Sequence, residues 1–221
     1  MTQGLTTKKD SSLQVRRRRN ARGEGNQLRG EILGAAVRLI GQSGDAKSLS
    51  IRALSDEVGV TPPSIYRHFD DKAAVLRAVV EERFADFAER MATAEQGSRS
   101  PFSALRRRSE AYLRFAEEQP GHYRVLFSAA SLGPESIGVT DRPHPGAPSF
   151  FALVASVQRC IDAGARPRGD ATFVAIMLWS TLHGFADLRI GKPEMPWPSA
   201  PEMVTDVLKR LHLDRRAPRR T

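Results

Sequence analysis

Apolar residues recur along this chain at helical spacing, and no stretch alternates convincingly at period two. The pattern predicts an all-α fold of about nine helices. The first runs from about Leu28 to Gln42, with Ile32, Ala36, Leu39 and Ile40 as its apolar stripe and Gly41 or Gly44 as its stop. Ile51, Leu54 and Val58 mark a second helix, with Ser50 as its N-cap and Gly59 as a left-handed C-cap. A third, about two turns long, starts at Pro62 and ends near Phe69; the Thr61 hydroxyl caps it, and Ile65 and Phe69 share its inner face. Asp70 caps a long fourth helix, about Asp71 to Glu95, in which Leu76, Val79, Val80, Arg83, Phe84, Phe87 and Met91 keep a 3.6-residue period. Such a helix reaches roughly 40 Å, enough to leave one domain and enter another.

Gln96 to Pro101 is a break. Pro101 to Gln119 forms a fifth helix, Pro120-Gly121 interrupts it, and His122 to Ala130 forms a short sixth. Residues 131–148, rich in Gly and Pro, read as a loop of a length that is usually functional or mobile. The seventh helix spans about Ser149 to Ala163. The eighth, about Asp170 to Ile190, is apolar nearly all round through Trp179 and so belongs in a core or an interface. A proline-rich turn then leads to a ninth, about Pro201 to Leu213. The expected organisation is a basic arm over 1–26 and a helix-turn-helix domain over 27–72. A helical regulatory and dimerisation domain over 73–213 and a basic tail over 214–221 complete it.

Charge sharpens this division. The net +9 is uneven: residues 1–30 carry eight Lys/Arg and two acids, 214–221 carry four Arg and one Asp, and 31–213 carry 22 of each sign. The positive charge lies in the tails, which favours an anionic polymer, nucleic acid before membrane. Residues 1–26 read as a disordered arm, either a solvated tail or an arm that adds phosphate or minor-groove contacts. The single Cys160 excludes an internal disulfide and a cysteine zinc cluster. Nothing at the start resembles a secretory signal, and the longest uninterrupted apolar run, Ala171 to Trp179, is too short for a membrane span. The expectation is a cytoplasmic protein without cofactor or membrane partner.

The corner between the second and third helices carries the chemistry. A helix, a Gly corner and a short second helix with polar, cationic and aromatic outer positions make a helix-turn-helix. The string Gly59-Val60-Thr61-Pro62-Pro63-Ser64-Ile65-Tyr66-Arg67-His68-Phe69, with Lys72 and Leu76 after it, resembles the signature of the TetR family of transcriptional regulators. Pro63 stands where a small residue is common in that family, and Ser55 where Ala is usual. Trp179-Ser-Thr-Leu-His183-Gly184 and Pro120-Gly-His-Tyr123-Arg-Val-Leu-Phe127 resemble one C-terminal class of the same family.

Thr61, Pro62, Pro63 and Ser64 lie at the tip of the third helix and are the candidates for base contact. Few of their side chains hydrogen-bond, so backbone fit and DNA shape should count for much. The resemblance makes Tyr66, His68 and Lys72 phosphate-contacting positions. The free N–H groups of the fourth helix beside Lys72 would also suit a phosphate. Arg67 suits base or backbone, and Ser50 and Arg52 start the helix that crosses the backbone in such motifs.

The resemblance further implies a dimeric, all-helical repressor of a palindromic operator, with a small-molecule pocket in the second domain. Candidates for that pocket are Phe102, Tyr112, Phe115, Tyr123 and Phe127, with Phe151, Met177, Trp179 and His183 from the later helices. An aromatic stripe is more often core than cavity, and His183 more often a satisfied core histidine than a ligand. A pocket of this composition would take a hydrophobic or amphipathic effector. Val174, Leu178, Leu182 and Phe185, with Val204, Val207, Leu208 and Leu211, offer more apolar surface than one domain is expected to hide. They are the expected dimer interface, which in the family is a four-helix bundle. The long fourth helix is the natural lever between domains. Rival readings are a ligand-independent or architectural DNA-binding protein and an activator. Nothing in the spacing of the histidines, and no phosphate loop or nucleophile motif, points to an enzyme.

Overall fold

The computed structural model describes residues 25–127 and 144–214. The expected arm, most of the Gly/Pro-rich loop and all but Asp214 of the basic tail lie outside them. Among the described residues there are nine α-helices and one 3-10 turn, and no strand. The helices are α1 (Gly25–Ser43), α2 (Ile51–Val58), α3 (Pro62–Tyr66), α4 (Lys72–Glu95), α5 (Pro101–Glu118), α6 (Pro120–Phe127), α7 (Ala147–Asp162), α8 (Ala171–Gly191) and α9 (Ala200–Arg210). The turn, Ala46–Ser48, was not legible in the pattern. Asp45 caps it, its side chain accepting from the Lys47 N–H.

Helix starts follow the polar caps. The Ser50 hydroxyl accepts from the Ala53 N–H at 3.1 Å. Asp71, not Asp70, caps α4, accepting from the Ala74 N–H at 2.6 Å. Its carboxylate therefore stands at the helix end that the sequence reading offered to a phosphate, and Lys72 is the first residue of α4. Ser100 and Ser199 cap α5 and α9 through reciprocal capping boxes with Ser103 and Glu202. Pro120 begins α6 rather than breaking the chain before it, as suits a proline in a first turn.

The core divides in two. The first cluster gathers Leu28, Ile32, Leu33, Ala36 and Ile40 of α1 with Leu54, Ile65, Phe69, Val75 and Val79. The second runs from Val80, Phe84, Phe87 and Met91 through α5 to α7, α8 and α9. The division falls inside α4, between Val79 and Val80, about two turns beyond residue 72. Helix α6 is shared too. Val125 is fully buried in the first cluster, while Tyr123 and Leu126 are buried in the second. Where α6 crosses α1, Gly121 and Gly41 almost touch: a Cβ on Gly121 would lie 3.4 Å from the Gly41 Cα. Only two glycines let the backbones approach so closely.

The far end of α4 is pinned by charge. Glu95 accepts from Arg108 of α5 at 3.0 Å, from the Ser156 hydroxyl at 2.6 Å and from Arg159 of α7 at 2.7 Å. Arg108, almost wholly buried, also donates to the Ser149 carbonyl at 3.2 Å.

The outer and inner faces of α8 differ from expectation. Val174, Leu178, Leu182 and Phe185 are buried within this chain's own core, as are Val204, Val207 and Leu208 of α9. Leu211 is half-buried against the same cluster. These residues are therefore not the surplus apolar surface that the sequence assigned to a dimer interface. Helix α8 is apolar on both sides, so periodicity could not tell which face the core takes. The face left outside carries Phe173, Ile176, Met177, Trp179 and Leu188. With all 21 residues counted, α8 is long and apolar enough to cross a membrane by length and composition, which the uninterrupted run alone had hidden.

Candidate nucleic-acid interface and regulatory centre

The recognition corner is built on three buried side chains. Leu54 of α2 and Ile65 of α3 are fully buried, and Phe69 nearly so. The Arg29 guanidinium lies 5.2 Å from the Phe69 ring centroid, and Arg38 pairs with Glu57 at 2.9 Å, so α1 braces the corner at both ends. Gly59 turns the chain in the left-handed region, φ 74°. Buried Ser55 donates its hydroxyl to the Ile51 carbonyl at 2.8 Å, which accounts for a polar residue at an inward position.

These anchors leave the expected contact residues outside. Thr61, Pro62, Pro63, Tyr66, Arg67 and Arg52 are exposed, and Ser64, His68 and Lys72 are half-buried. Thr61 does not cap α3 through its hydroxyl. Its Oγ1 lies 3.1 Å from the Ser64 Oγ, which also accepts from Arg67 at 3.0 Å. Thr61, Ser64 and Arg67 therefore form one polar chain across the helix tip, a grouping that linear spacing did not reveal. Lys72 donates to the Lys47 carbonyl at 3.2 Å. That contact brings the exposed Lys47 to the same side, a cation the sequence reading passed over because the 3-10 turn was not foreseen.

The second centre lies between α5, α6 and α8. The Tyr123 hydroxyl is 2.6 Å from His183 Nδ1, the Tyr112 hydroxyl 3.0 Å from the same nitrogen, and the two hydroxyls 3.3 Å apart. The Phe127 ring packs 5.1 Å from His183, and Trp179 stands 6.0 Å away. Phe84 and Phe87, which the sequence reading placed only in a core, complete the wall against Phe127 at 5.8 and 5.9 Å. Burial pulls His183 below its usual value, with Asp187 opposing. Burial likewise raises Tyr112 well above the ordinary phenol value and raises Tyr123 in the same direction.

Of the expected pocket residues, Tyr112, Tyr123, Phe127 and His183 converge. Phe115 reaches this group only through Phe87, at 5.3 Å, and Phe102 packs half-buried elsewhere on the core. Phe151 and Met177 point outward, 66% and 44% exposed, because they sit on the outer faces of α7 and α8. Two hollows lie apart from the aromatic centre. One of ≈ 660 Å³ runs between α4 and α5, and one of ≈ 270 Å³ lies where α1, α4 and α6 meet, lined by Gly30, Gly34, Arg38, Arg83 and His122 among others. Among the described residues no group of His, Cys, Asp and Glu is placed to hold a metal ion.

Two family models match the chain. Residues 32–79 match the model of bacterial regulatory proteins of the TetR family, and residues 105–211 match a tetracyclin repressor-like C-terminal domain. An uncharacterised HTH-type transcriptional regulator of Mycobacterium tuberculosis is 29% identical over 143 residues, which is 65% of this chain and 62% of that protein. The chain thus spans less than two thirds of that relative's length. A TetR family transcription regulator of Marinobacter aquaeolei superposes with a TM-score of 0.64 at 16% identity, covering 85% of this chain and 98% of the other. The transcriptional regulator FadR of Bacillus subtilis, solved in complex with stearoyl-CoA, superposes with a TM-score of 0.64 at 13% identity over 84% and 98%. At such identities these two likenesses concern the fold.

Proposed function

Because the chain belongs to the TetR family of bacterial regulatory proteins, we propose that it regulates transcription by binding double-stranded DNA as a homodimer. Each copy reads one half of a palindromic operator with α3. The observation that carries this is the corner itself: Ile65 and Phe69 fix a five-residue helix and leave Thr61, Pro62, Pro63, Tyr66 and Arg67 in solvent. In this reading the tip enters the major groove, with the Thr61–Ser64–Arg67 chain and the two proline rings at the base edges. Tyr66, His68, Lys72 and Lys47 meet phosphates, while Ser50 and Arg52 of α2 lie over the backbone. Selection of bound duplexes from a random pool tests this. Enrichment of a two-fold palindrome is the expected result, and a pool that stays random overturns the reading.

The protein acts in this reading as a repressor released by a hydrophobic small molecule. The support is the aromatic centre, whose few polar atoms are Tyr112, Tyr123 and His183, and the fold it shares with a regulator solved with stearoyl-CoA. An effector entering there must break the Tyr123–His183 bond. The displacement reaches the reading head by two routes, because α4 and α6 both belong to the two cores. Val125 and the Gly41–Gly121 contact make the short α6 as direct a route as the long α4. A change in the spacing of the two heads, about 34 Å apart or somewhat more across one helical turn of DNA, then loses register with the operator. Thermal stabilisation by a long-chain acyl compound, with loss of affinity for the selected duplex, is the expected signature.

A further inference from the structure

We propose that the hollow of ≈ 270 Å³ where α1, α4 and α6 meet is a binding site for a small carboxylic acid, whose carboxylate is held by Arg38 and Arg83. The site lies apart from the aromatic centre and from the corner between Ser50 and Lys72, and the function proposed above does not require it.

Missing side chains open the hollow, and donors without partners line it. Gly30 and Gly34 lie about one turn apart on α1 and both line it. A Cβ on Gly30 would meet nothing within 4 Å, and one on Gly34 would meet only the Arg38 Nη1, at 3.6 Å. That Nη1 therefore lies over the bare Gly34 backbone. Arg38 engages Glu57 through its Nε, at 2.9 Å, which leaves both of its Nη groups for a ligand. Arg83 of α4 directs Nη2 to Glu82, and Nη1 to Asp86 at 2.9 Å. Its Nε–H is buried and has no acceptor among the described residues. Buried donors ordinarily have a partner, and leaving one unmet is costly. Ser98 Oγ, the other such atom, does not line this hollow.

Charge and size set the class of ligand. The charged side chains of the lining are Arg38, Arg83 and Glu82, a surplus of one positive charge. Burial holds His122, at the α6 end, below the ordinary imidazole value. Arg83 and Arg90 each push it further down than Asp86 pulls it up, so the field there is positive. Glu57 and Asp86 hold the same two guanidiniums from outside the lining, so the hollow suits one negative charge and not two. A guanidinium fork matches a carboxylate in shape and in hydrogen-bond direction. The rest of the lining is largely apolar, from Leu33, Val37 and Val79. A dry cavity of about 150 Å³ takes a benzene molecule, so this one has room for about ten non-hydrogen atoms. The ligand is thus a monocarboxylate with a short aromatic or aliphatic body. Seated there, it ties α1 to α4 and α6, the two helices that both cores share.

Benzoate, which is within that size, is the probe, and benzamide, its uncharged isostere, is the control. Amide ¹H–¹⁵N spectra of the full chain are expected to show saturable shifts at Gly30 and Gly34 with benzoate, and benzamide is expected to bind at least about tenfold more weakly. Arg38→Gln, at an exposed position, should weaken benzoate by about tenfold. Gly34→Leu fills the hollow and should abolish the shift at Gly30, while its Tm stays at or above that of the native chain because Leu favours a helix more than Gly does. The spectra themselves show that each variant is folded. Equal affinity for benzoate and benzamide, shifts confined to residues around His183, or undiminished binding by both variants overturns the proposal. Inorganic phosphate that moves the same two amides at lower concentration than benzoate assigns the hollow to a phosphate group and overturns the carboxylate. No shift with any of the three compounds overturns the site.

Discussion

Replacing Glu95 by Ala separates a buried ion pair from its surroundings and should show how firmly the end of α4 is held. The Arg108 side chain is 8% exposed and that of Glu95 17%. Burial pulls the Arg108 guanidinium below its ordinary value, and the hydrogen bond and charge of Glu95 oppose that. Without Glu95 the guanidinium keeps only the Ser149 carbonyl, and the Ser156 hydroxyl loses its acceptor. Stranding one member of a buried pair costs about 3–5 kcal/mol, and an orphaned hydroxyl about 1 kcal/mol. Since one carbonyl remains and Glu95 lies near the rim, about 3–4 kcal/mol is the expected loss. In a chain this long that corresponds to roughly 6–16 °C in Tm. Arg159→Ala removes a pair that is 48% exposed on the Arg side and should cost about 0.5 kcal/mol. Glu95→Leu with Arg108→Met removes both charges and should recover most of the loss. Urea denaturation followed by circular dichroism, with the m-value held common, measures all three. If Glu95→Ala lies within about 1 kcal/mol of the native chain, the pair does not fasten α4 to α5 and α7, and the reasoning fails.

Other consequences are shorter to state. Tyr66→Ala and Lys72→Ala should each weaken binding to all duplexes by about 1 kcal/mol or more, without changing sequence preference, in a gel-shift titration; unchanged affinity would remove them from the interface. Gly59→Ala should lower stability by about 1 kcal/mol, because φ 74° at that corner strains any residue with a Cβ; a neutral result in a melting curve would contradict it. His122, His144 and His183 are all held below the ordinary imidazole value by burial. The unfolded chain therefore takes up protons first, so stability is full above about pH 6.5 and falls as pH drops from there toward the folded values. Denaturation midpoints between pH 8 and 5 should show this, with a shallower fall in His183→Gln; an identical fall would mean that His183 does not contribute. Tyr112 and Tyr123 act at the other end, since their raised values put their stabilisation below about pH 10, to be lost above it.

The parts of the fold that were legible in the sequence were those written in local chemistry. Ser50 and Gly59 marked both ends of α2, and Pro62 the start of α3, because caps and left-handed corners select residue types directly; the end of α3, expected near Phe69, falls at Tyr66. The inner stripe of α4, Leu76 to Met91, was equally plain, since charges alternate with it around the helix. The exposure of Thr61, Pro62, Pro63, Tyr66 and Arg67 followed, because Ile65 and Phe69 must be inside and their neighbours must then be outside. What periodicity could not supply was the choice between two apolar faces. On α8 it gave Val174, Leu178, Leu182 and Phe185 to an interface, whereas the core holds them and Phe173, Ile176 and Met177 stand outside. Contacts between distant segments were also out of reach. Val125 entering the first core, Lys47 arriving beside Lys72, and Glu95 gathering Arg108, Ser156 and Arg159 join residues that share no local pattern. The Tyr112–Tyr123–His183 group lies between these cases: its members were singled out as aromatic or polar in an apolar setting, but their meeting at one nitrogen is a fact of packing.

The central claim is that the exposed corner from Ser50 to Lys72 is the surface that holds DNA. The most direct measurement is the salt dependence of affinity for a selected duplex, read by fluorescence anisotropy for the native chain and for Lys72→Ala. If the corner makes the contacts assigned to it, the logarithm of the binding constant falls linearly with the logarithm of salt concentration, and Lys72→Ala lowers the steepness of that line by about one unit while leaving the preferred sequence unchanged. A line of unchanged slope in the variant, with unchanged affinity, would place the DNA elsewhere on the molecule.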